Sequence, residues 1–205
     1  MLYSYSGELR WLESNGGPLL LVPGEQLPSW EGTEPPSDGR QIDAQFRWNG
    51  EDAPASDYDR ACDINGWLGL LDVGAGHAIV LGGEPLGTAW QASAGASESG
   101  VNTCGILIRW VHANSESDVI EALEHVPETV WQDTGLLLSV GREPLYLLDA
   151  AYPGSELEGD DHLTIQLPPG KYSIATAEYE PDSHTHLLLH RLTRRSSGTS
   201  ELKGS

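Results

Sequence analysis

Leu163-Thr164-Ile165-Gln166-Leu167-Pro168-Pro169-Gly170 opens the stretch that decides the fold. Apolar and polar side chains alternate over 163–167, the period of a half-buried strand. The Pro-Pro-Gly reads as a turn, and residues 172–180 alternate again. Pro181-Asp182 supplies a second turn, and 184–192 returns as a strand. Successive strands joined by tight turns predict an antiparallel hairpin unit.

The pattern recurs upstream. Segments 17–27, 76–86 and 135–145 each run from an apolar, strand-length stretch into a Gly-Glu or Gly-x-Glu turn and then a Leu. The glutamates are Glu25, Glu84 and Glu143, spaced 59 residues apart both times. Residues between the copies do not match. The echo therefore fits either a duplicated unit or the likeness that strand–turn phrases share in β-rich chains. One helix is expected after Ser115, where Ser115 and Asp118 have capping-box spacing. Val119, Ile120, Leu123 and Val126 then form an apolar stripe that Pro127 ends. Residues 57–71 read as a short helix or a loop leading into Trp67-Leu68-Gly69-Leu70-Leu71. Twenty-four Gly and 13 Pro favour many short strands.

The expected fold is α+β, mainly antiparallel β-sheet with one or two packed helices. One domain is expected over 1–192, with internal lobes near 1–100 and 101–192 as a variant, and a fraying tail over 193–205. Residues 91–100, small and polar, read as a mobile loop. A short strand, Ile42 to Trp48, is expected between acidic loops.

The chain holds 31 Asp and Glu against 11 Lys and Arg, a formal charge of −20. Four of the bases lie in the last fifteen residues, so the first 190 carry −23. Such a field repels nucleic acid and anionic membranes and attracts basic proteins. Residues 31–72 concentrate ten acids and three bases, and 156–161 add four acids and no base. No basic-then-apolar leader opens the sequence, and no apolar run reaches the ~18 residues of a membrane span. A cytoplasmic protein is expected, with Cys62 and Cys104 as reduced thiols in preference to a pair.

No Walker loop, Gly-x-Ser-x-Gly elbow or Cys-x-x-Cys pair is present, and no nucleophile–base set stands out. Gly74-Ala75-Gly76-His77 lacks the third glycine of a dinucleotide loop and opens a strand. His184, His186 and His190 share parity on one strand, and Glu178 and Glu180 precede them. That set supports a metal-dependent enzyme as the alternative function, against the simpler reading of a polar sheet face above Leu187 and Leu189. A structural or carbohydrate-binding β module is the further alternative. Trp11, Trp67, Trp110 and Trp131 read as core filler. Trp30 and Trp48, beside the acidic loops, read as exposed anchors.

Several phrases together resemble a known family. They are residues 11–23, Asp57-Tyr58-Asp59-Arg60-Ala61-Cys62, residues 105–111, Leu147-Leu148-Asp149-Ala150-Ala151-Tyr152-Pro153-Gly154, and 167–172 running into 176–182. Over roughly 5–193 the chain is similar to immunity proteins of bacterial polymorphic-toxin systems, the immunity protein 21 family. The resemblance implies a mostly β cytoplasmic protein that binds and blocks a cognate toxin, and it brings no catalytic residues, metal or cofactor. An acidic inhibitor suits a toxin with a basic surface. The expected contacts are Trp30, Glu31, Glu34, Asp38, Asp43, Trp48, Glu51, Asp52, Asp57 and Asp59, with a second patch at Glu156, Glu158, Asp160 and Asp161.

Overall fold

The computed structural model describes residues 9–93 and 103–196, with side chains from 105 onward in the second span. In chain order the strands are β1 (Trp11–Leu12), β2 (Leu19–Pro23), β3 (Leu68–Val73), β4 (Gly76–Leu81), β5 (Thr88–Ala92) and β6 (Thr103–His112). They continue as β7 (Gln132–Val140), β8 (Leu145–Asp149), β9 (His162–Ile165), β10 (Gly170–Asp182) and β11 (Thr185–Arg194). Two helices, α1 (Asp57–Cys62) and α2 (Glu116–Glu124), complete the set with three short 3-10 turns. A six-stranded sheet runs β1-β5-β6-β11-β10-β7, and a five-stranded sheet runs β3-β4-β2-β8-β9. Every pairing is antiparallel. The expected α+β class, mainly antiparallel sheet with one or two helices, is what the chain adopts.

The sheets pack face to face. Leu19, Leu21, Ile79, Leu81, Leu145 and Leu147 of the smaller sheet meet Leu107, Leu138, Tyr172, Ile174 and Leu192 of the larger. Each outer face is also covered. Helix α2 lays Val119, Ala122 and Leu123 on Ile106, Ile108, Leu187 and Leu189 of the larger sheet. Trp30, Tyr58 and Ala61 cover Leu20, Val22, Val80 and Leu148 of the smaller one. Strand β2 is buried on both faces, which explains its unbroken Leu-Leu-Leu-Val run. Both sheets mix strands from either half of the chain, so a division near residue 100 would cut each of them.

The hairpin unit is realised in part. Strands β10 and β11 pair from Tyr172↔Arg194 to Asp182↔Thr185, so Pro181-Asp182 ends a strand and the turn lies at 183–184. Residues 163–167 do not join them. Strand β9 pairs with β8 in the other sheet, and Pro168-Pro169 carries the chain between sheets. Two prolines in succession donate no ladder hydrogen bonds and fix φ, so they end a strand rather than fold it back. Strand β11 continues through Arg194, into the expected tail. Residues 197–205 and 94–102, with most of the expected mobile loop, lie outside the described residues. No helix among the described residues is long and apolar enough to cross a membrane.

The segments of the 59-residue echo take three different routes. After β2 the chain stays on its sheet's outer face, after β4 it crosses to the larger sheet, and after β7 it crosses back. Two of the turns nevertheless lock together. Glu25 accepts from the backbone N–H groups of Arg142 (2.7 Å) and Glu143 (3.1 Å), and the Gly24 N–H donates to the Pro144 carbonyl at 2.8 Å. These bonds hold the Glu25 carboxyl below its ordinary pKa, the Glu143 N–H contributing most.

His190 is buried on β11, its Nδ1 3.0 Å from Thr176 Oγ1. Burial, reinforced by the Arg109 cation, pushes its pKa down to about 3 from 6.5. Below pH 6.5 the unfolded chain takes up a proton at this position that the folded chain refuses, so stability falls as pH drops toward 3. The slope is about 1.4 kcal/mol per pH unit for one such group. Chemical denaturation between pH 7 and 4 should show His190→Leu losing less stability on acidification than wild type. Parallel pH curves would contradict this assignment.

Candidate functional site

Between Trp30 and Ser56 the chain makes a long irregular excursion over the smaller sheet. Its backbone N–H groups have no ladder to join, and buried ones need acceptors. Carboxylates supply them. Ser56 caps α1 through a full capping box, with the Asp59 N–H donating to Ser56 Oγ (3.2 Å) and the Ser56 N–H to Asp59 Oδ2 (2.8 Å). The other Asp59 oxygen accepts from the Trp48 N–H at 2.8 Å. Asp63 accepts from the N–H groups of Gln45 and Phe46. Asp57, buried, accepts from the Glu31 N–H and takes a two-pronged contact from Arg40 at 2.7 and 2.9 Å, with Arg60 at 2.9 Å. This contact raises the Arg40 pKa further.

The expected strand Ile42–Trp48 is therefore not a strand. Its alternating pattern is real, but side-chain carboxylates take the hydrogen bonds that a neighbouring strand would have taken.

The excursion is fastened to β8's exit by backbone. Gly32 adopts φ +59°, and the position of a Cβ there would meet the Tyr152 backbone carbonyl carbon at 2.7 Å. The Thr33 N–H reaches the Ala151 carbonyl at 3.1 Å, and the Gly154 N–H reaches the Trp30 carbonyl at 2.8 Å. The two acidic regions thus grow from one junction.

The expected contact residues separate by placement. Trp30 is only 1% exposed, its indole donating to the Ala150 carbonyl, so it is a core residue and not an exposed anchor. Asp57 and Asp59 are buried in the bonds just described. Glu31 accepts from Ser37, and Asp38 accepts from the Arg40 N–H. Glu34, Asp43, Glu51 and Asp52 are exposed and pair with no described cation. Glu156, Glu158, Asp160 and Asp161 are exposed too, and Asp160 meets Arg10 at 2.9 Å. Trp48 is 59% exposed, as expected of an anchor.

Sequence reasoning missed Phe46 and Trp67, which are 41% and 40% exposed. Phe46 and Trp48 set their rings edge-on against Tyr58, at 6.4 and 5.7 Å. Trp67 lies over Gly83, where a Cβ would stand 2.5 Å from the ring. Between Trp48, Gly17 and Gly83 opens a cleft of about 270 Å³ floored by Tyr58, Cys62 and Ile64. The Cys62 thiol is free and half-buried, and burial pushes its pKa up to about 11, so it is no nucleophile near neutral pH. The signals in the sequence were a lone Phe in a polar loop and a Trp directly after Asn65-Gly66, a turn pair.

The histidine set assembles differently from the sequence pattern. His184 lies in the turn and His190 in the core. His186 alone meets carboxylates, with Nε2 3.0 Å from Glu178 and Nδ1 3.6 Å from Glu180. These donors lie close enough to hold a divalent cation. As arranged, however, each imidazole nitrogen already faces a carboxylate.

Residues 10–185 match the family model described as Immunity protein 21. No curated protein and no solved structure matches the chain.

Asp57→Ala should remove the two-pronged partner of Arg40, leave Arg60 with only the Asp72 carbonyl, and free the Glu31 N–H. A loss of about 2–3 kcal/mol is expected for breaking a buried, multiply bonded carboxylate. Hydrogen exchange should quicken over 31–63 before it does in β10 and β11. Unchanged exchange there would show that the excursion does not depend on this carboxylate.

Proposed function

The chain belongs to the immunity protein 21 family, and from that premise we propose that it neutralises a cognate toxin by binding it through the excursion and the 156–161 loop. The observation that supports this reading is the set of carboxylates left over once the loop's own needs are met. Asp43, Glu51 and Asp52 stand exposed beside Trp48, with Glu34 on the same excursion. Exposed like charges cost stability through mutual repulsion, and a basic partner surface relieves that cost on binding.

Charge and aromatic contact then divide the work. The acidic field steers a basic toxin surface into register and raises the encounter rate. Desolvated contacts near Trp48 set the lifetime of the complex. The chain acts by occupancy, with no chemical step and no cofactor, in the cytoplasm of the cell that makes the toxin. A toxin with a basic substrate groove is the fitting target, because carboxylates then stand where phosphates would lie.

Co-expression with the toxin domain encoded in the neighbouring reading frame tests the reading. Wild type should restore growth and co-purify with that domain. No rescue and no complex would overturn the proposal. The triple variant Asp43→Lys, Glu51→Lys, Asp52→Lys should slow association at low salt by about ten-fold or more and flatten its salt dependence. Glu121→Lys with Glu124→Lys, on helix α2 over the opposite sheet, should leave association nearly unchanged.

A further inference from the structure

The cleft beside Trp48 has a chemistry of its own. Its lining carries no Lys, Arg, Asp or Glu. Its walls are aromatic and glycine-rich, with Trp48 and Phe46 on one side and the Gly82-Gly83 turn under Trp67 on another. Carboxylates stand behind the floor. Asp59 and Asp63 bond the backbone of Trp48, Gln45 and Phe46, and Asp149 holds the N–H groups of Asn15 and Ala151. Their field reaches the lining. Asp59, Asp63 and Asp149 each add to the upward shift of the Cys62 thiol, and Asp149 and Asp59 to that of the Tyr58 phenol, although burial is the largest cause in both. Three cations adjoin the cleft: Arg47 is turned back onto the carbonyls of Ala44 and Phe46, Arg60 is held by Asp57, and Arg109 donates to the Gly82 carbonyl behind the wall, its guanidinium 5.9 Å from the Trp67 ring.

The cleft is open and its lining carries no charge, while the three carboxylates behind it outnumber the single Arg109 cation at its wall, so a cationic side chain is favoured there without a fixed ion-pair partner. Aromatic faces add attraction for a cation, most of all for a planar guanidinium that can stack. We infer that this cleft is the anchor socket of the toxin interface and that the side chain it receives is an arginine of the toxin. The partner's identity rests on the immunity reading. The chemistry of the socket does not.

The test starts without toxin. A short Gly/Ser peptide with one central arginine is titrated into the full chain isotope-labelled at its tryptophan indoles. The same peptide with citrulline, which keeps the shape and loses the charge, is the comparison. The arginine peptide should shift the Trp48 and Trp67 indole signals, assigned through Trp48→Phe and Trp67→Phe, and bind about five-fold or more tighter than the citrulline peptide. High salt should narrow that gap. Equal binding of the two peptides, tighter binding of a lysine peptide, or shifts confined to other indoles would overturn the inference.

In the toxin complex, Trp48→Ala should raise the dissociation rate by about ten-fold or more while association changes little. Thermal unfolding beside wild type confirms that the variant is folded, as expected for a side chain this exposed. An unchanged dissociation rate in a folded variant also overturns the socket. The peptide result condemns the socket alone, whereas a wild-type chain that fails to neutralise condemns the immunity reading alone.

Discussion

The outer face of the five-stranded sheet is apolar and has to be covered, and the chain covers it mainly with irregular backbone. Leu20, Val22, Val80 and Leu148 lie under Trp30, Tyr58 and the one short helix α1. A long helix would have brought its own hydrogen bonds. A loop brings unsatisfied N–H groups instead, and these must find acceptors close to an apolar surface. Asp57, Asp59 and Asp63 are those acceptors. The carboxylates, the capping box, the fastening at Gly32 and the position of Trp48 all follow from that one need.

The two sheets are held in relation by a different device. Arg109, on β6 of the larger sheet, is buried and donates to the carbonyls of Gly82 at 2.8 Å and Glu84 at 2.9 Å, where the chain leaves the smaller sheet. It has no carboxylate partner among the described residues, and burial lowers its pKa to about 10, so it remains a cation at neutral pH. Backbone dipoles alone hold the charge. The same guanidinium stands close enough to His190 to help keep that imidazole neutral. It also fixes the Gly82-Gly83 turn that forms one wall of the cleft. The sandwich and the candidate site therefore share one buried residue.

Much of this was legible in the residues. The alternation over 172–192 gave the long hairpin because both faces of β10 and β11 are set by their own side chains. Ser115 and the stripe from Val119 gave α2 for the same local reason. Alternation over 163–167 and 42–48 was equally plain and misled. Period two fixes which way side chains point but not which strand, if any, stands alongside. β9 found its partner in the other sheet, and 42–48 found carboxylates. The tryptophans failed in a similar way. Trp30 and Trp67 exchange the roles their neighbours suggested, because Trp30 turns inward onto the smaller sheet beside exposed Glu34, whereas Trp67 follows a turn and lies over Gly83. The cleft was not readable at all, since Gly17, Trp48 and Gly83 come from three separated segments.

The acidity that dominates the composition therefore has two physical origins that sequence counts merge. One part is internal. Buried and half-buried carboxylates substitute for strand neighbours, and their charge is partly offset by N–H dipoles and, at Asp57, by Arg40 and Arg60. The other part, at Glu34, Asp43, Glu51, Asp52 and the 156–161 loop, faces water with no cation among the described residues apart from the Arg10 contact at Asp160. Only the second part is available to a partner at the rim, where charges act chiefly on encounter. The first part still acts at the cleft, because carboxylates fixed by backbone bonds cannot turn away from it. On the proposed binding mode, a partner approaching this face would meet the exposed charges first and the backbone-fixed carboxylates afterwards. On that mode, how fast a complex forms and how long it lasts would rest on different residues of the same loop.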